Sequence, residues 1–300
     1  MPVTKYCKGT GLRLIYVITA VLVLALIIFV YVQSSGYTTV EYLIRTGKDI
    51  GNVRFVMLSD LHDTDVTHDH NKKLLDSIEA LGPDFVILSG DMITSYMEPK
   101  SSSRVAFEFL KDLSERFTVY YGLGNHEQRY MAEPERFPGK FEELAGYVKD
   151  LGISFLSNDC TSTQDGKIGI YGFNVSIENY RRAVTSYLPD GILTYTFGEV
   201  DKNRFNILLA HDPVYFDDYV KFHPDLVLSG HLHGGIVVIP GLGGVISPQL
   251  KLFPKYYAGR FEKDGTVMIV GRGIGWHSIP VRIFNKAEIV CINIEGNNKG

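Results

Sequence analysis

The sequence predicts an α/β fold preceded by one membrane-crossing helix, and three observations carry that expectation. Five apolar runs of strand length each end in aspartate, asparagine or histidine. Amphipathic helical stretches separate several of them, giving a β-α-β order. Near the amino terminus, the nineteen residues from Leu14 to Val32 carry no charge.

At about 1.5 Å per residue that run nearly spans a hydrocarbon core of roughly 30 Å. Lys5, Lys8 and Arg13 precede it, and Tyr16 and Tyr31 sit near its ends, where interfacial aromatics belong. By the positive-inside rule the first dozen residues stay in the cytoplasm and everything after Gln33 lies outside. The expected location is the cell membrane, single-pass, with the folded part extracytoplasmic. A cleaved signal peptide is the rival reading, but its apolar region runs about 7–15 residues and ends at a small-residue site. Residues 1–36 therefore form the cytoplasmic terminus and anchor. Residues 37–300 read as one domain, with no linker, repeat or composition break.

Hydrophobic residues make up 45% of the chain and charged ones 21%, enough to bury a sizeable core. A net charge of −4 excludes a broad basic face, so no nucleic-acid partner is expected. Cys7, Cys160 and Cys291 form no CxxC pair and are expected as free thiols, with a Cys160–Cys291 bridge as the alternative.

Along the domain, YTTVEYLI reads as an edge strand. VRFVML then runs into Ser59-Asp60-Leu61-His62, DFVILS into Gly90-Asp91, and TVYYGL into Gly124-Asn125-His126-Glu127. Further on, FNILLA runs into His211-Asp212 and DLVLS into Gly230-His231-Leu232-His233. Each run suits a strand buried on both faces. NKKLLDSIEALG reads as a helix capped by Asn71, with Leu74, Leu75, Ile78 and Leu81 at helical spacing. FEFLKDLSERF and FEELAGYVKDLG read the same way. Ligand sites in such sheets collect at the carboxyl ends of the strands.

Singly, each terminal residue has a structural explanation: an Asp caps or turns, and a His after an apolar run is usually a hydrogen-bonded rim residue. Gathered at one sheet edge, Asp60, Asp91 and several imidazoles would strand charges and polar groups unless a cation joined them. Oxygen and imidazole donors without sulfur suit Mn, Fe or Zn. Two such ions about 3.5–4 Å apart can clamp a phosphoryl group and activate water.

The ordered set Asp60-Leu61-His62, Gly90-Asp91, Gly124-Asn125-His126-Glu127, His211 and Gly230-His231-Leu232-His233 resembles the calcineurin-like metallophosphoesterase superfamily. FPKYYAGRF, the VGRGIG run and PVRIFNKAEI look like the carboxyl-terminal part of its membrane-anchored bacterial subgroup, with UDP-2,3-diacylglucosamine pyrophosphatase-like and phosphodiesterase members. The resemblance implies a four-layer α-β-β-α sandwich of two mixed sheets and a site holding two divalent metal ions (Mn, Fe or Zn). Carried over residue by residue, Asp60, His62, Asp91 and His233 hold the first ion, with Asp91 bridging. Asn125, His211 and His231 complete the second. On an extended segment, His231 and His233 would face one side, one for each ion. His126 is not a ligand in the family and would stabilise or protonate the leaving oxygen. Many relatives carry an acid three residues after the bridging aspartate; here Thr94 stands there, so the partner that orients His126 is unassigned.

The implied activity is hydrolysis of a phosphodiester or pyrophosphate, on a membrane-associated or lipid-linked phosphate resembling UDP-2,3-diacylglucosamine or a phospholipid. A tethered phosphatase for soluble substrates is the alternative, and a non-catalytic envelope binding protein a third. An apolar groove from metals to membrane would mark the first, a polar pocket the second, lost ligands the last. DTDVTHDH, residues 63–70, reads as a solvated loop. FPKYYAGRF is either a lipid-facing rim or ordinary hairpin packing, and Trp276 and His277 are candidate substrate contacts by the same resemblance.

Overall fold

The computed structural model describes residues 7–96, 103–180, 187–235, 237–239, 243–246, 252–276 and 281–297. Helix α1 (Cys7–Ser34) leads into strands β1 (Tyr37–Arg45) and β2 (Asn52–Leu58), helix α2 (Lys72–Ala80) and strand β3 (Phe85–Ser89). Next come α3 (Arg104–Ser114), β4 (Val119–Gly122), α4 (Asn125–Ala132), α5 (Lys140–Asp150), β5 (Ser154–Leu156), β6 (Asp159–Ser162) and β7 (Ile168–Phe173). The remainder runs α6 (Ile192–Phe197), β8 (Phe205–Ala210), α7 (Phe216–Tyr219), β9 (Leu226–Ser229), β10 (Val237–Ile239) and β11 (Gly243–Ile246). Strands β12 (Gly259–Lys263), β13 (Thr266–Val270) and β14 (Ala287–Glu295) finish it.

Two six-stranded mixed sheets face each other. One has the order β1-β14-β2-β3-β4-β5, parallel except between β14 and β2. The other runs β12-β13-β9-β8-β7-β6, with antiparallel pairs only at its two ends. Strand alternation sorts the apolar runs into layers. In β2, Phe55 and Met57 enter the cluster between the sheets, while Val56 and Leu58 pack against the helices outside. The same division places Phe109 and Leu113 of α3 and Val148 of α5 on the outer face of the first sheet. Phe216 and Tyr219 of α7 cover the second. Strands covered on both faces need no polar alternation, which is why β3 opens as the apolar run FVIL and β8 is interrupted only by the buried Asn206. The result is the four-layer α-β-β-α arrangement.

One local feature differs from expectation. Asn71 does precede α2, but its φ is 60° and its side chain caps nothing. Its Oδ1 instead accepts from Val66 N and its Nδ2 donates to Thr64 O, tying off the preceding loop. That loop is ordered by Asp65, whose carboxylate accepts from the backbone N–H groups of Asp69, His70 and Asn71. Cys160 and Cys291 are free thiols, and β1 occupies a sheet edge as its sequence suggests.

Helix α1 extends past the apolar run at both ends. Its segment Gly11–Ser34 has a mean hydropathy of 3.0 and no burial against the rest of the protein over its apolar window, so it is long and apolar enough to cross a membrane. Only Ser35 and Gly36 separate it from β1. Its last turns are docked: Ser34 Oγ accepts from Arg282 N at 2.9 Å and donates to Arg282 O at 3.3 Å. The Phe29 ring meets Phe284 edge-on at 5.6 Å. The helix and the domain are thus joined by a buried contact as well as by the chain.

Candidate metal centre

Every strand-end residue singled out in the sequence comes to one edge of the sandwich, across the seam between the sheets. The ends of β2, β3 and β4 supply Asp60, His62, Asp91, Asn125 and His126; those of β8 and β9 supply His211, His231 and His233. The chains approach closely here. A Cβ on Gly90, whose φ is +92°, would meet Gly124 N at 2.5 Å and His211 Nδ1 at 2.6 Å, so no other residue fits.

The backbone at these ends turns sharply. Asp60, His62, Asp91, His231 and His233 have φ of 55°, 49°, 55°, 68° and 49°. Non-glycine residues rarely adopt this left-handed region, at a cost of order 1–3 kcal/mol each, and such strain collects where function demands it. It also corrects the expectation for the histidine pair. His231 and His233 do not lie on an extended segment; the chain bends at both. His231 turns toward His211, with ring centroids 5.3 Å apart, and His233 toward His62, with Nε2 atoms 3.0 Å apart.

Two groups of side chains emerge, each with donor atoms mutually within 4.8 Å: Asp60, His62 and His233, and Asp91, His211 and His231. A third, overlapping group joins His62, Asp91 and His126. Backbone N–H groups aim the carboxylates, His231 N donating to Asp60 Oδ1 at 3.0 Å and His126 N to Asp91 Oδ1 at 2.8 Å. His211 Nδ1 donates to Ser89 O at 2.6 Å, which leaves the Nε2 lone pair facing the cluster, the posture of a metal-ligating imidazole. Nε2 has no hydrogen-bond partner although Asp91 Oδ2 is 3.2 Å away, and Asn125 Oδ1 is likewise buried and unpaired.

The electrostatics call for positive charge. Burial raises the Asp60 carboxyl to about 6, against the pull of the His211 ring. Burial also opposes ionisation of Asp91, yet the adjacent His211 ring holds it well below the usual carboxylate range. For His211 burial disfavours the charged ring, and Asp91 and Asp60 overcome it, lifting it to about 10. Divalent cations on the same lone pairs would meet that demand in place of a proton. Orphaned acceptors, paired carboxylates and correctly presented imidazoles therefore fit two cations.

Sequence reasoning left the partner of His126 open, and the structure supplies it one residue beyond Thr94. Ser95 N and Ser95 Oγ both lie 2.8 Å from His126 Nδ1. A backbone N–H only donates, so Nδ1 accepts and the ring proton resides on Nε2. Thr94 contributes its carbonyl, which accepts from the Tyr130 hydroxyl at 2.9 Å.

Three further residues had no assigned role. Glu127, completely buried, accepts from the N–H groups of Asp91, Met92, Ile93 and Gly124 and from the Tyr121 hydroxyl at 2.7 Å. Burial and the charge of Asp91 push its carboxyl upward. The GNHE motif displayed this residue, but nothing local announces its five donors. Asn285 Nδ2 donates to His233 O at 2.6 Å and also to Gly235 O. Arg282 Nη2 donates to Gly275 O at 2.7 Å and lies 3.5 Å from His233 Nδ1. Burial lowers that guanidinium to about 10.

Trp276 N donates to Thr64 Oγ1 at 3.3 Å and its ring lies 5.9 Å from the Arg282 guanidinium; His277 lies outside the described residues. In the FPKYYAGRF stretch Tyr256 and Ala258 pack inward, while Phe253 is exposed.

The model of the calcineurin-like phosphoesterase family matches residues 53–235. An uncharacterized metallophosphoesterase of Helicobacter pylori is 26% identical over 261 residues, covering 86% of this chain and 63% of its own. One from Bacillus subtilis is 24% identical over 277 residues, covering 89% and 87%. A zebrafish (Danio rerio) transmembrane protein with metallophosphoesterase domain is 27% identical over 252 residues, covering 82% and 54%. The chain thus spans less than two thirds of the length of the Helicobacter and zebrafish relatives. The matched segment covers more than half of the chain and supplies every strand-end residue gathered above, so this protein belongs to the calcineurin-like phosphoesterase family of metal-dependent hydrolases.

Proposed function

We propose that the protein hydrolyses a phosphodiester or pyrophosphate bond in a membrane-associated, lipid-linked phosphate of the UDP-2,3-diacylglucosamine or phospholipid kind. The observation that carries this reading is the short path from anchor to site: Ser34 bonds Arg282, and Arg282 lies 3.5 Å from His233. Residues 1–36 are the anchor and 37–300 the catalytic domain. Asp60, His62 and His233 would hold one cation, and Asn125, His211 and His231 the other, with Asp91 available to both. When bound, the two cations neutralise phosphoryl charge and lower the pKa of the attacking water.

The chain's own groups supply orientation. The N–H of His231 and that of His126 fix the carboxylates of Asp60 and Asp91, and Glu127 fixes the loop carrying Asp91. His126, with its proton on Nε2, offers a hydrogen bond to the departing oxygen. Since Ser95 N–H occupies Nδ1, the doubly protonated ring is disfavoured, so the contribution is stabilisation rather than full proton transfer. His126→Ala should therefore keep both metals and lose about 10²–10³-fold in turnover, the scale of one preorganised donor. The loss should be similar for p-nitrophenyl and alkyl esters. A loss confined to poor leaving groups would restore proton donation, and lost metal would make His126 a ligand.

The substrate class is tested with the full chain in nanodiscs, reconstituted with Mn²⁺, Fe²⁺ or Zn²⁺ and offered monoesters, diesters, pyrophosphates and lipid-linked phosphates. The highest kcat/KM is expected on a lipid-linked diester or pyrophosphate. A soluble monoester in that place would favour the tethered phosphatase instead. The basic residues before the apolar run set the orientation, so protease added to intact spheroplasts should digest the domain. Complete protection would reverse it.

A further inference from the structure

Large apolar side chains are exposed beyond α1, and one of them, Phe284, stands where that helix meets the domain. Phe284 is 51% exposed, Ile239 45%, Leu252 68% and Phe253 57%. They belong to one connected piece of backbone. Val238 N in β10 donates to Ile283 O at 3.1 Å, β10 pairs with β11, and Phe253 N donates to Val245 O of β11 at 2.9 Å. In sequence, Gly234 to Leu250 contains no charged residue, and it follows His233 directly.

The depth of this surface can be read from the anchor. Phe29 lies five residues before Ser34, about 7.5 Å back along a helix that rises about 1.5 Å per residue. The Phe284 ring is 5.6 Å from the Phe29 ring, so it stands level with the apolar part of α1, deeper than the exposed Tyr31 expected at the interface. A side chain of the domain is thereby carried to the depth of the lipid. Lys286, exposed two residues on, can reach the headgroup layer while its stem stays on the apolar surface.

We propose that the β10–β11 hairpin and residues 281–285 rest in the interface of the same bilayer that α1 crosses, as a second, non-helical membrane contact beside His233. The partner is the lipid surface, and the inference rests on the reading of α1 as the anchor. Because Asn285 and Arg282 of this segment also hold His233, the apolar rim lies between lipid and metal-binding side chains, the position a lipid-linked phosphate would cross.

The chain has a single tryptophan, Trp276, which makes depth measurable. In a Trp276→Phe background, Phe284→Trp and Phe253→Trp are introduced separately into the full chain, with Tyr195→Trp as reference. Tyr195 is 89% exposed on α6, which packs beside β6 at the opposite edge of the second sheet. Each variant is reconstituted into vesicles with and without lipid brominated near the headgroup, and its fold is checked by circular dichroism. Bromine should quench the fluorescence at positions 284 and 253 several-fold more than at 195. Quenching at 253 no greater than at the reference overturns the proposal, even should the 284 variant fail to fold. Catalysis does not enter this readout: inactivity on lipid-linked substrates with strong quenching would sink the proposed function and leave the membrane contact standing.

Discussion

Asp91→Asn should strip metal from both positions and lower turnover by about 10³-fold, the equivalent of the several kcal/mol a catalytic cation supplies. Asp91 belongs to two of the three overlapping donor groups, with His62 and His126 on one side and His211 and His231 on the other. Asparagine preserves the shape and the hydrogen bond that His126 N donates to Oδ1. What it removes is the carboxylate charge nearest both rings, 3.2 Å from His211 Nε2 and 3.8 Å from His62 Nε2, where Asp60 stands at 3.7 and 3.9 Å. Without it, two dications would face each other across a neutral amide in a water-poor site, where repulsion is weakly screened. Elemental analysis of the purified chain gives the metal count, and a p-nitrophenyl ester gives the turnover. Two retained metals with turnover near the parent's would refute the shared-carboxylate assignment.

Glu127→Ala should damage the fold rather than the chemistry alone. Four backbone N–H groups and the Tyr121 hydroxyl lose their acceptor at once, in a place without access to bulk water. An orphaned buried donor costs about 1–3 kcal/mol, so even with partial repair by water the total approaches about 5 kcal/mol. Domains are stable by only about 5–15 kcal/mol. At about 2–4 °C per kcal/mol, Tm should fall by roughly 10–20 °C. Melting is followed in detergent with chelator present, so that metal affinity does not contribute. Glu127→Gln keeps one acceptor oxygen and should fall between. A Glu127→Ala melting point within about 2 °C of the parent would deny the brace any structural role.

Both residues lie in stretches that the sequence displays, yet only one could be read from it. Asp60, Asp91, His211, His231 and His233 were legible because a buried strand is a local pattern and each ends one. The layers were legible for the same reason: alternation along β2 follows from residue order alone. Contacts made to distant backbone leave no such trace. Ser95 reaches His126 across 31 positions, Arg282 reaches His233 across 49, and neither pairing imposes a period or a spacing. The bend at His231 and His233 was misread for a related cause. Alternation holds on extended chain, and flanking glycines and a close approach to Asp60 turn the chain there instead. Asn71 occupies the position of a cap, but the loop before it offered its side chain better partners.

The placement of β14 has a consequence for how the protein is made. This strand lies between β1 and β2, with Tyr37 beside Ala287 on one flank and Met57 beside Val290 on the other. The strand nearest the anchor is therefore synthesised early and must wait until Ala287–Glu295 has emerged from the ribosome. Contacts between such distant parts of a chain form slowly, and unpaired strand edges invite association meanwhile. Until then, β1 follows the apolar helix α1 with no neighbour to pair with. A nascent chain cut short before Ala287 would leave β1 and β2 both open, making it a target for quality-control proteases rather than a weakened enzyme.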